Sequence, residues 1–315
     1  MGDSREVAVV SGCKSATGVA KWNHFLSISP LLFVVLGAVC ISFSAVFAKL
    51  STTHADVSAF YRVFIGGFCL LAIAAKFDRA SLLKVLQRHF MLIISGGVCL
   101  TLDLMCWHRS INILGPGVAT ILINFQVFIL ALAGWLFFNE RLSMRFALAI
   151  PLALIGLCLL IGITPATLLN SDMGGAGLGL SAAFWLAMYT LAIRYIQMLS
   201  PDIPAVCVVA LVTLASAASM GIFFLWESTS IAIPTSDDIL WLVLYGIVSQ
   251  ALGWFMISKG LPGISSAQAG LTILIMPALS YVWDMLIFGK PAGFIELSGA
   301  VIALAAIWMG TATRK

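Results

Sequence analysis

Several polar and charged residues interrupt long apolar stretches of this sequence, and these residues could bind a solute or move a proton. Arg62 and Asp103 each lie well inside an apolar stretch, and Asn124 and Gln126 share another. A guanidinium group binds carboxylates and phosphates, and a carboxylate held away from water can take up a proton. These residue types therefore predict solute binding or proton transfer inside an apolar environment.

Two residues close to Asp103 extend this candidate site. Trp107 follows Asp103 by four positions and so shares its helix face, whereas His108 is rotated by about 140°. We expect Trp107 to line a cavity with Asp103. His108 is a candidate for a second proton site because histidine changes charge near neutral pH. The alternative is that His108 contacts lipid headgroups or a neighbouring backbone.

The second half of the chain offers aromatic residues spaced one helical turn apart. Trp185 and Tyr189 form one such pair, and Gln250 and Trp254 combine an amide with an indole at the same spacing. Their N–H and O–H groups require partners when buried. One interpretation is an aromatic cavity wall completed by a polar amide. The other is ordinary core packing with an incidental hydrogen bond.

The composition restricts which elements can position these residues. Of 315 residues, 61% are hydrophobic and 10% are charged, compared with about 45–50% and about 25% in soluble domains. The mean hydropathy is +1.08, so most of the chain must lie in lipid. At about 20 residues per span, the chain holds about ten helices and leaves no room for a soluble catalytic domain. This composition excludes a soluble enzyme and a nucleic-acid-binding protein.

A scan for apolar windows of about 19 residues predicts ten transmembrane helices. We number them α1 to α10 in chain order. Their predicted ranges are 30–50, 54–76, 90–112, 116–138, 145–164, 174–197, 203–226, 237–258, 264–288 and 294–312.

The distribution of basic residues predicts how these helices are oriented. With the amino terminus inside, thirteen of the 17 Lys and Arg residues fall on the inner side, and only Lys49, Arg109 and Lys290 fall on the outer side. Such an excess of basic residues marks the cytoplasmic side. We therefore expect residues 1–29 to form a cytoplasmic tail, with both termini inside. The absence of organellar targeting favours a bacterial inner membrane.

This orientation places the polar residues of the first half at similar depths. At 1.5 Å per residue, Arg62 lies about 12 Å below the outer end of α2, and Asp103 about 15 Å below that of α3. An ion pair between them is therefore feasible. It is either a structural bridge between two helices or part of a solute site that also includes Asn124. An amide such as Asn124 or Gln126 could also only join neighbouring helices.

The two halves of the chain resemble each other at a constant shift of 150 residues. This shift aligns Gly96 with Gly246, Val127 with Pro277, and Glu140 with Lys290, and α3 to α5 align with α8 to α10 without a gap. Each half contains five helices, so the second half must be inverted in the membrane. Inverted repeats are typical of secondary carriers that expose one central site alternately to each side.

The motifs in these repeats resemble the EamA branch of the drug/metabolite transporter superfamily. They are Phe60-Tyr61-Arg62 in α2, the α4 run from Ala119 through Val127-Phe128 to Asn139-Glu140-Arg141, Gly156 in α5, and the stretch from Ala267 to Pro277 followed by Gly289-Lys290. The resemblance covers about residues 30 to 312. It implies a ten-helix all-α permease of two inverted repeats, at 30–164 and 174–312, that exports amino acids, amines or other metabolites.

The sequence departs from the family pattern at two positions, and each departure predicts a structural difference. Val127 replaces a proline usual in α4, so we expect α4 to lack a kink. Lys290 replaces a glutamate usual after α9, so the second half should lack an acidic gate partner there. In the first half, Glu140 and Arg141 form either an inner gate or a solvated turn. We also expect Asp284, near the outer end of α9, to be solvated.

The resulting prediction is a gradient-driven carrier working by alternating access, most simply an exporter of an amino-acid-like or amine-like metabolite. Its site comprises Arg62, Asp103, Asn124, Trp107, Trp185, Tyr189, Gln250 and Trp254, with Asp103 and His108 as candidate proton carriers. Its partners are a small solute and the lipid bilayer, with no nucleic acid, and the protein is a monomer or homodimer.

Two alternatives stay open. One is an exchanger or importer of a larger anionic metabolite such as a nucleotide derivative, although several phosphates would call for more than one buried cation. The other is an intramembrane transferase, which should cluster His, Asp or Glu at one membrane face. The sequence contains no HExxH, CxxC or GxxxxGK[ST] motif, so we predict no metal, no nucleotide drive and no cofactor.

Overall fold

The computed structural model describes residues 29–114, 116–140, 143–163, 172–227, 230–289 and 293–311. Across these residues, all regular secondary structure is helical. Within the described ranges, nine helices are long and apolar enough to cross a membrane, and Phe294–Gly310 forms a shorter apolar helix. The predicted all-α architecture of ten helices is therefore confirmed. The predicted tail, Arg141 and Lys290 lie outside the described residues.

The observed helices follow the predicted order. We keep the labels α1 to α10. Five helices are uninterrupted: α2 is Ala55–Lys76, α5 is Met144–Ile161, α6 is Met173–Leu199, α7 is Ala205–Glu227 and α10 is Phe294–Thr311. The other five contain a break or a change of winding: α1 is Pro30–Ser42 with Ser44–Leu50, α3 lies within Asp78–Leu114, α4 is Pro116–Ile123 with Gln126–Phe137, α8 is Ser236–Gly263 and α9 is Ser266–Ile273 with Ile275–Phe288.

The connection between α2 and α3 remains helical rather than forming a loop. Residues Ala55–Leu114 form one run that is interrupted by non-helical backbone at Asp78 and His89. The part from Asp78 to Leu114 has 37 residues, which is about 55 Å of helix, whereas a bilayer core is about 30 Å thick. The stretch between the two kinks is therefore a separate short helix at the inner end of α3.

The matching breaks in α4 and α9 reproduce the repeat of 150 residues. The first segment of α4 ends at Ile123 and that of α9 ends at Ile273. The residues that precede the second segments, Phe125 in α4 and Leu274 in α9, both have φ −61° and ψ −11°, although they are 149 rather than 150 residues apart. After each helix, Asn139 and Gly289 both adopt left-handed backbone with positive φ. The alignment of the two halves is thus also visible in the backbone.

The expectation that α4 lacks a kink is wrong, although Val127 does replace the usual proline. The chain makes a tight turn at the break, where the N–H groups of Asn124 and Phe125 donate to carbonyls three residues earlier. The side-chain amide of Asn124 donates to the carbonyl of Thr120 at 2.6 Å. This bond satisfies a carbonyl at the end of the first segment, so α4 breaks without proline. In α9, Pro277 lacks the N–H that would continue the helix.

Small residues allow the helices to pack closely, as expected within a membrane. A Cβ atom at Gly156 of α5 would lie 2.5 Å from the backbone nitrogen of Ala303 in α10, and one at Gly66 of α2 would lie 2.7 Å from Gly246 of α8. The buried residues form two cores. One joins α4, α5, α9 and α10, and the other joins mainly α1, α2, α3, α6, α7 and α8. The candidate site lies between these two groups of helices.

Candidate functional site

A cavity of about 290 Å³ lies among eight of the ten helices. It extends from the middle of the bundle to the predicted outer ends of α5 and α9, where Ile161 and Asp284 line it. The predicted site residues that line the cavity are Arg62, Asp103, Trp107, Asn124 and Trp254, and Gln126 of α4 lines it too. Residues from both repeats therefore surround one space.

Arg62 is held by side chains from the opposite repeat. Its Nε donates to Oε1 of Gln250 at 2.9 Å, and its Nη1 donates to the hydroxyl of Tyr245 at 3.4 Å. Gln250 is fully buried and donates in turn to Oγ1 of Thr213 at 3.2 Å. Tyr245 and Gln250 lie on a π-helical stretch of α8, Tyr245–Gly253. Such stretches are frequent at functional sites because they change the direction of side chains.

The predicted ion pair between Arg62 and Asp103 does not form in this structure. Arg62 bonds instead to Gln250 and Tyr245, and Oδ1 of Asp103 is buried without a hydrogen-bond partner among the described residues. Both side chains still line the same cavity. The reason is geometric, because two acceptors in α8 lie closer to the guanidinium group than Asp103 does. Asp103 therefore remains free to interact with another group.

Other buried polar atoms on the cavity wall also lack a partner within the described part of the chain. They are Nε1 of Trp107, Nε1 of Trp254 and Oε1 of Gln126. Buried polar groups in native proteins are nearly always hydrogen-bonded, so each exception calls for an explanation. Together with Asp103 they present two indole donors, an amide acceptor and a carboxylate oxygen. This set can bind a solute that carries both donors and acceptors.

The remaining predicted aromatic residues and Gln250 do not line the cavity. Trp185 is half-buried and contacts Phe184, with 5.0 Å between ring centroids. Tyr189 is fully buried and packs edge-on against Trp254 at 4.5 Å. Leu186 of the same helix lines the cavity in their place. Tyr189 thus packs against the wall residue Trp254, and Gln250 bonds to the wall residue Arg62, both outside the cavity itself.

His108 faces away from the cavity, as its rotation from Asp103 predicted. Its Nδ1 lies 3.3 Å from Oδ1 of Asp56 at the outer end of α2. The neighbouring Arg109 forms an exposed ion pair with Glu227 of α7, with 3.5 Å between Nη2 and Oε1. The structure therefore separates the two candidate proton carriers. Asp103 borders the solute cavity, and His108 belongs to a contact between α2 and α3.

The outer rim of the cavity carries an ion pair that the sequence did not suggest. Nζ of Lys49 lies 3.4 Å from Oδ1 of Asp284, and 54% and 30% of these side chains are exposed. Asp284 is thus only partly solvated, in contrast to the expectation. The pair joins α1 of the first repeat to α9 of the second. An exposed pair of this kind contributes little stability, so it can separate at little cost.

The inner end is closed by a second and more buried ion pair. Nη2 of Arg194 in α6 lies 2.8 Å from Oε1 of Glu140, with 8% and 14% of the side chains exposed. Both oxygens of Glu140 also accept the backbone N–H of Ser266, at 3.1 and 2.9 Å, and Arg194 donates to the Ser266 hydroxyl. Glu140 therefore does not lie in a solvated turn. It joins the end of α4 to α6 and to the start of α9.

The local sequence explains how Glu140 reaches this position. Asn139 adopts φ 51°, a left-handed conformation that Asn tolerates better than most residues. This conformation ends α4 and turns the chain, so that the N–H of Glu140 donates to the carbonyl of Gly134 at 3.0 Å. A Cβ atom at residue 134 would lie 2.3 Å from Oε2 of Glu140. Gly134 thus leaves space for the carboxylate.

Several contributing residues escaped the sequence analysis. Tyr245 and Thr213 carry no charge, and Arg194 and Lys49 were interpreted only as basic residues near helix ends. Nothing in their local sequence identifies their partners, which are 54 and 72 residues away for Arg194 and 235 residues away for Lys49. Polar residues inside α6 and α8 are a signal that could have pointed to Arg194 and Tyr245, but not to Thr213 or Lys49, which lie in α7 and α1.

The chain resembles known proteins along most of its length. The model of the "EamA-like transporter family" matches residues 28–162 and 173–311. A curated "Uncharacterized transporter" of Haemophilus influenzae is 34% identical over 109 residues, which are 34% of this chain and 35% of that protein. This match thus spans about a third of the relative's length. A solved structure described as "Crystal structure of protein" has 17% identity and a TM-score of 0.76, covering 90% of this chain and 97% of that one, and it shows the fold alone.

The family match covers both five-helix halves of the bundle. It agrees with the matched helix breaks and with a cavity between helices of the two halves. The chain belongs to the EamA-like transporter family and is a multi-pass integral membrane protein.

Proposed function

We propose that this protein is a secondary carrier that exports a small amino-acid-like or amine-like metabolite. The observation that carries the proposal is the set of buried polar atoms around Arg62 that have no partner among the described residues, on the wall of a cavity between the repeats. Arg62 offers a positive group and Asp103 a carboxylate, while Trp107 and Trp254 offer indole N–H donors. A solute with charged and apolar parts would satisfy these groups.

The two ion pairs, one toward each end of the cavity, are the contacts that alternating access would make and break. Arg194 and Glu140 close the inner end in a buried contact, whereas Lys49 and Asp284 meet loosely at the outer rim. Each pair joins one repeat to the other. Breaking the inner pair while strengthening the outer one would move access from the outer to the inner side. The inverted repeat supports this scheme because the two states would be related by the same symmetry.

The orientation and the energy source follow from the sequence. The excess of basic residues supports a cytoplasmic location of the Glu140 end, in what we propose is a bacterial inner membrane. Because no nucleotide-binding motif is present in the sequence, an ion or solute gradient would drive transport. Asp103 is the proton carrier we favour, since its free oxygen borders the cavity, whereas His108 lies outside it.

The experiment is a thermal-shift screen of the purified protein against amino acids, amines, nucleosides and nucleotides. A solute that binds the folded state raises the apparent melting temperature. We expect stabilisation by an amino acid or amine, and loss of that stabilisation in Arg62→Ala and in Asp103→Asn. Arg109→Gln is the matched control, because Arg109 lies in an exposed ion pair outside the cavity.

Transport of the stabilising solute is then measured in proteoliposomes. Efflux that is lost in Arg62→Ala and retained in Arg109→Gln supports the proposal. Stabilisation by nucleotides alone, with obligatory counterflow, would replace it with the exchanger of a larger anion. If Arg62→Ala and Asp103→Asn fold normally and transport at the original rate, the cavity is not the solute site.

A further inference from the structure

The short helix between α2 and α3 presents a basic surface beside the membrane. It comprises residues 79–88, between the kinks at Asp78 and His89. Arg79, Lys84 and Arg88 are exposed on it, and the same ten residues contain no acidic side chain. Three positive charges thus lie along about 15 Å of helix.

The opposite face of this helix fixes it to the rest of the protein. Leu82 and Val85 are buried in the larger core. At one end, Oδ1 of Asp78 accepts the N–H of Ser81 at 3.0 Å. At the other end, Nε2 of His89 and Oγ of Ser200 lie 2.8 Å apart. The exposed side of the helix, with Arg79 at one edge and Lys84 and Arg88 toward the other, is therefore held in a defined position.

Exposed apolar side chains adjoin the basic face. Leu83 is 51% exposed within the helix, and Phe90 and Met91 are 51% and 77% exposed directly after it, at the start of the membrane span. An amphipathic helix with a basic face and neighbouring apolar side chains lies in the membrane interface. Its basic groups then meet the phosphates of the lipid headgroups.

We propose that residues 79–88 bind the anionic phospholipid headgroups of the inner leaflet. The occupant is a lipid surface because the helix directly joins two membrane spans, α2 and α3, and because its charge complements phosphate. Each basic residue close to an anionic bilayer strengthens binding by about fivefold. This surface lies on the side of the bundle opposite the outer rim of the cavity, so the inference does not depend on the identity of the solute.

The test measures lipid preference on the full chain purified in detergent. Phosphatidylglycerol and phosphatidylcholine are titrated separately, and bound lipid is counted by native mass spectrometry. We expect tighter binding of phosphatidylglycerol. In the triple variant Arg79→Gln, Lys84→Gln, Arg88→Gln, its affinity should fall by about 100-fold, from about fivefold per charge. Higher salt should weaken binding in the original protein because salt screens exposed charges.

Two control variants separate charge from structure. Arg109→Gln removes an exposed charge at the opposite end of the bundle and should leave the preference intact. Arg79→Lys with Arg88→Lys keeps the charges and should also keep it. An unchanged preference for phosphatidylglycerol in the triple variant would overturn the proposal. So would equal binding of inorganic phosphate, because the surface would then be a general anion site rather than a lipid site.

Discussion

Arg62 and Gln250 are joined by a 2.9 Å hydrogen bond from Nε to Oε1, although 188 residues separate them in the chain. The bond connects α2 of the first repeat with the π-helical stretch of α8 in the second. Gln250 does not line the cavity, whereas Arg62 does. We therefore expect Gln250 to be a positioning residue, which holds the guanidinium group rather than contacting a solute.

Replacing Gln250 by Leu should weaken solute binding without removing Arg62. A hydrogen bond to a charged group contributes about 1.5–3 kcal/mol, so we expect solute affinity to fall by about 10- to 100-fold. The measurement is KM and kcat for transport in proteoliposomes, with KM changing more. Thr213→Val is the matched control, because it removes only the second bond of Gln250. An unchanged KM in Gln250→Leu would show that Arg62 needs no such support.

Breaking the inner ion pair should open the inner end of the cavity. Glu140→Gln removes the carboxylate that Arg194 and the Ser266 N–H share. The measurement is labelling of Leu130→Cys, a buried α4 position, by an impermeant maleimide from the inner side. We expect labelling to rise several-fold in Glu140→Gln, because breaking a buried pair leaves a charge uncompensated.

The outer ion pair between Lys49 and Asp284 serves as the control for the inner pair. Lys49→Gln removes an exposed contact with Asp284, which we expect to contribute less than about 1 kcal/mol. Labelling of Leu130→Cys should therefore stay at its original level in Lys49→Gln. Equal labelling of both variants would mean that Glu140 and Arg194 do not close the inner end.

Asp238 should be important for stability rather than for transport. Its buried carboxylate accepts five hydrogen bonds, from Ser51, Thr52 and Thr235, and so fixes the connection between α1 and α2 to the start of α8. Asp238→Ala should cost about 3 kcal/mol, since its partners lose a charged acceptor. The neighbouring Asp237 is exposed, so Asp237→Ala is the control and should leave the melting temperature nearly unchanged. Equal effects of the two substitutions would contradict this role.

Close packing of α5 on α10 should make Gly156 sensitive to a single methyl group. A Cβ atom there would lie 2.5 Å from the Ala303 nitrogen, so Gly156→Ala forces the two helices apart. We expect destabilisation of about 1–3 kcal/mol, as for an overpacked core. At Gly177 of α6 no heavy atom lies within 4 Å, so Gly177→Ala should be neutral or slightly stabilising. Thermal unfolding of the two variants side by side tests this difference.

Hydropathy and the internal alignment predicted the helices and their repeat. Hydropathy predicts spans because every backbone polar group in lipid must be satisfied within its own helix, and the shift of 150 residues is a property of the sequence alone. The face shared by Asp103 and Trp107 was also predictable, since it follows from helical spacing. Both side chains do line the cavity.

The break in α4 shows that local sequence rules did not predict every interruption of a helix. The sequence indicated a straight helix because Val127 can donate the hydrogen bond that proline cannot. The break forms nevertheless, and the Asn124 amide bonds to the Thr120 carbonyl beside it. Whether an amide bonds to its own helix or points into a cavity depends on the surrounding helices, and sequence spacing does not contain that information.

The pairing of polar groups depends on how the helices pack against one another. Arg62 bonds to Gln250 rather than to Asp103, and Arg194 bonds to Glu140 across the two repeats. These choices depend on rotations and distances between helices that are far apart in the chain. The sequence fixes the depth of each residue along its helix, whereas packing between helices selects its partner from several residues at the same depth.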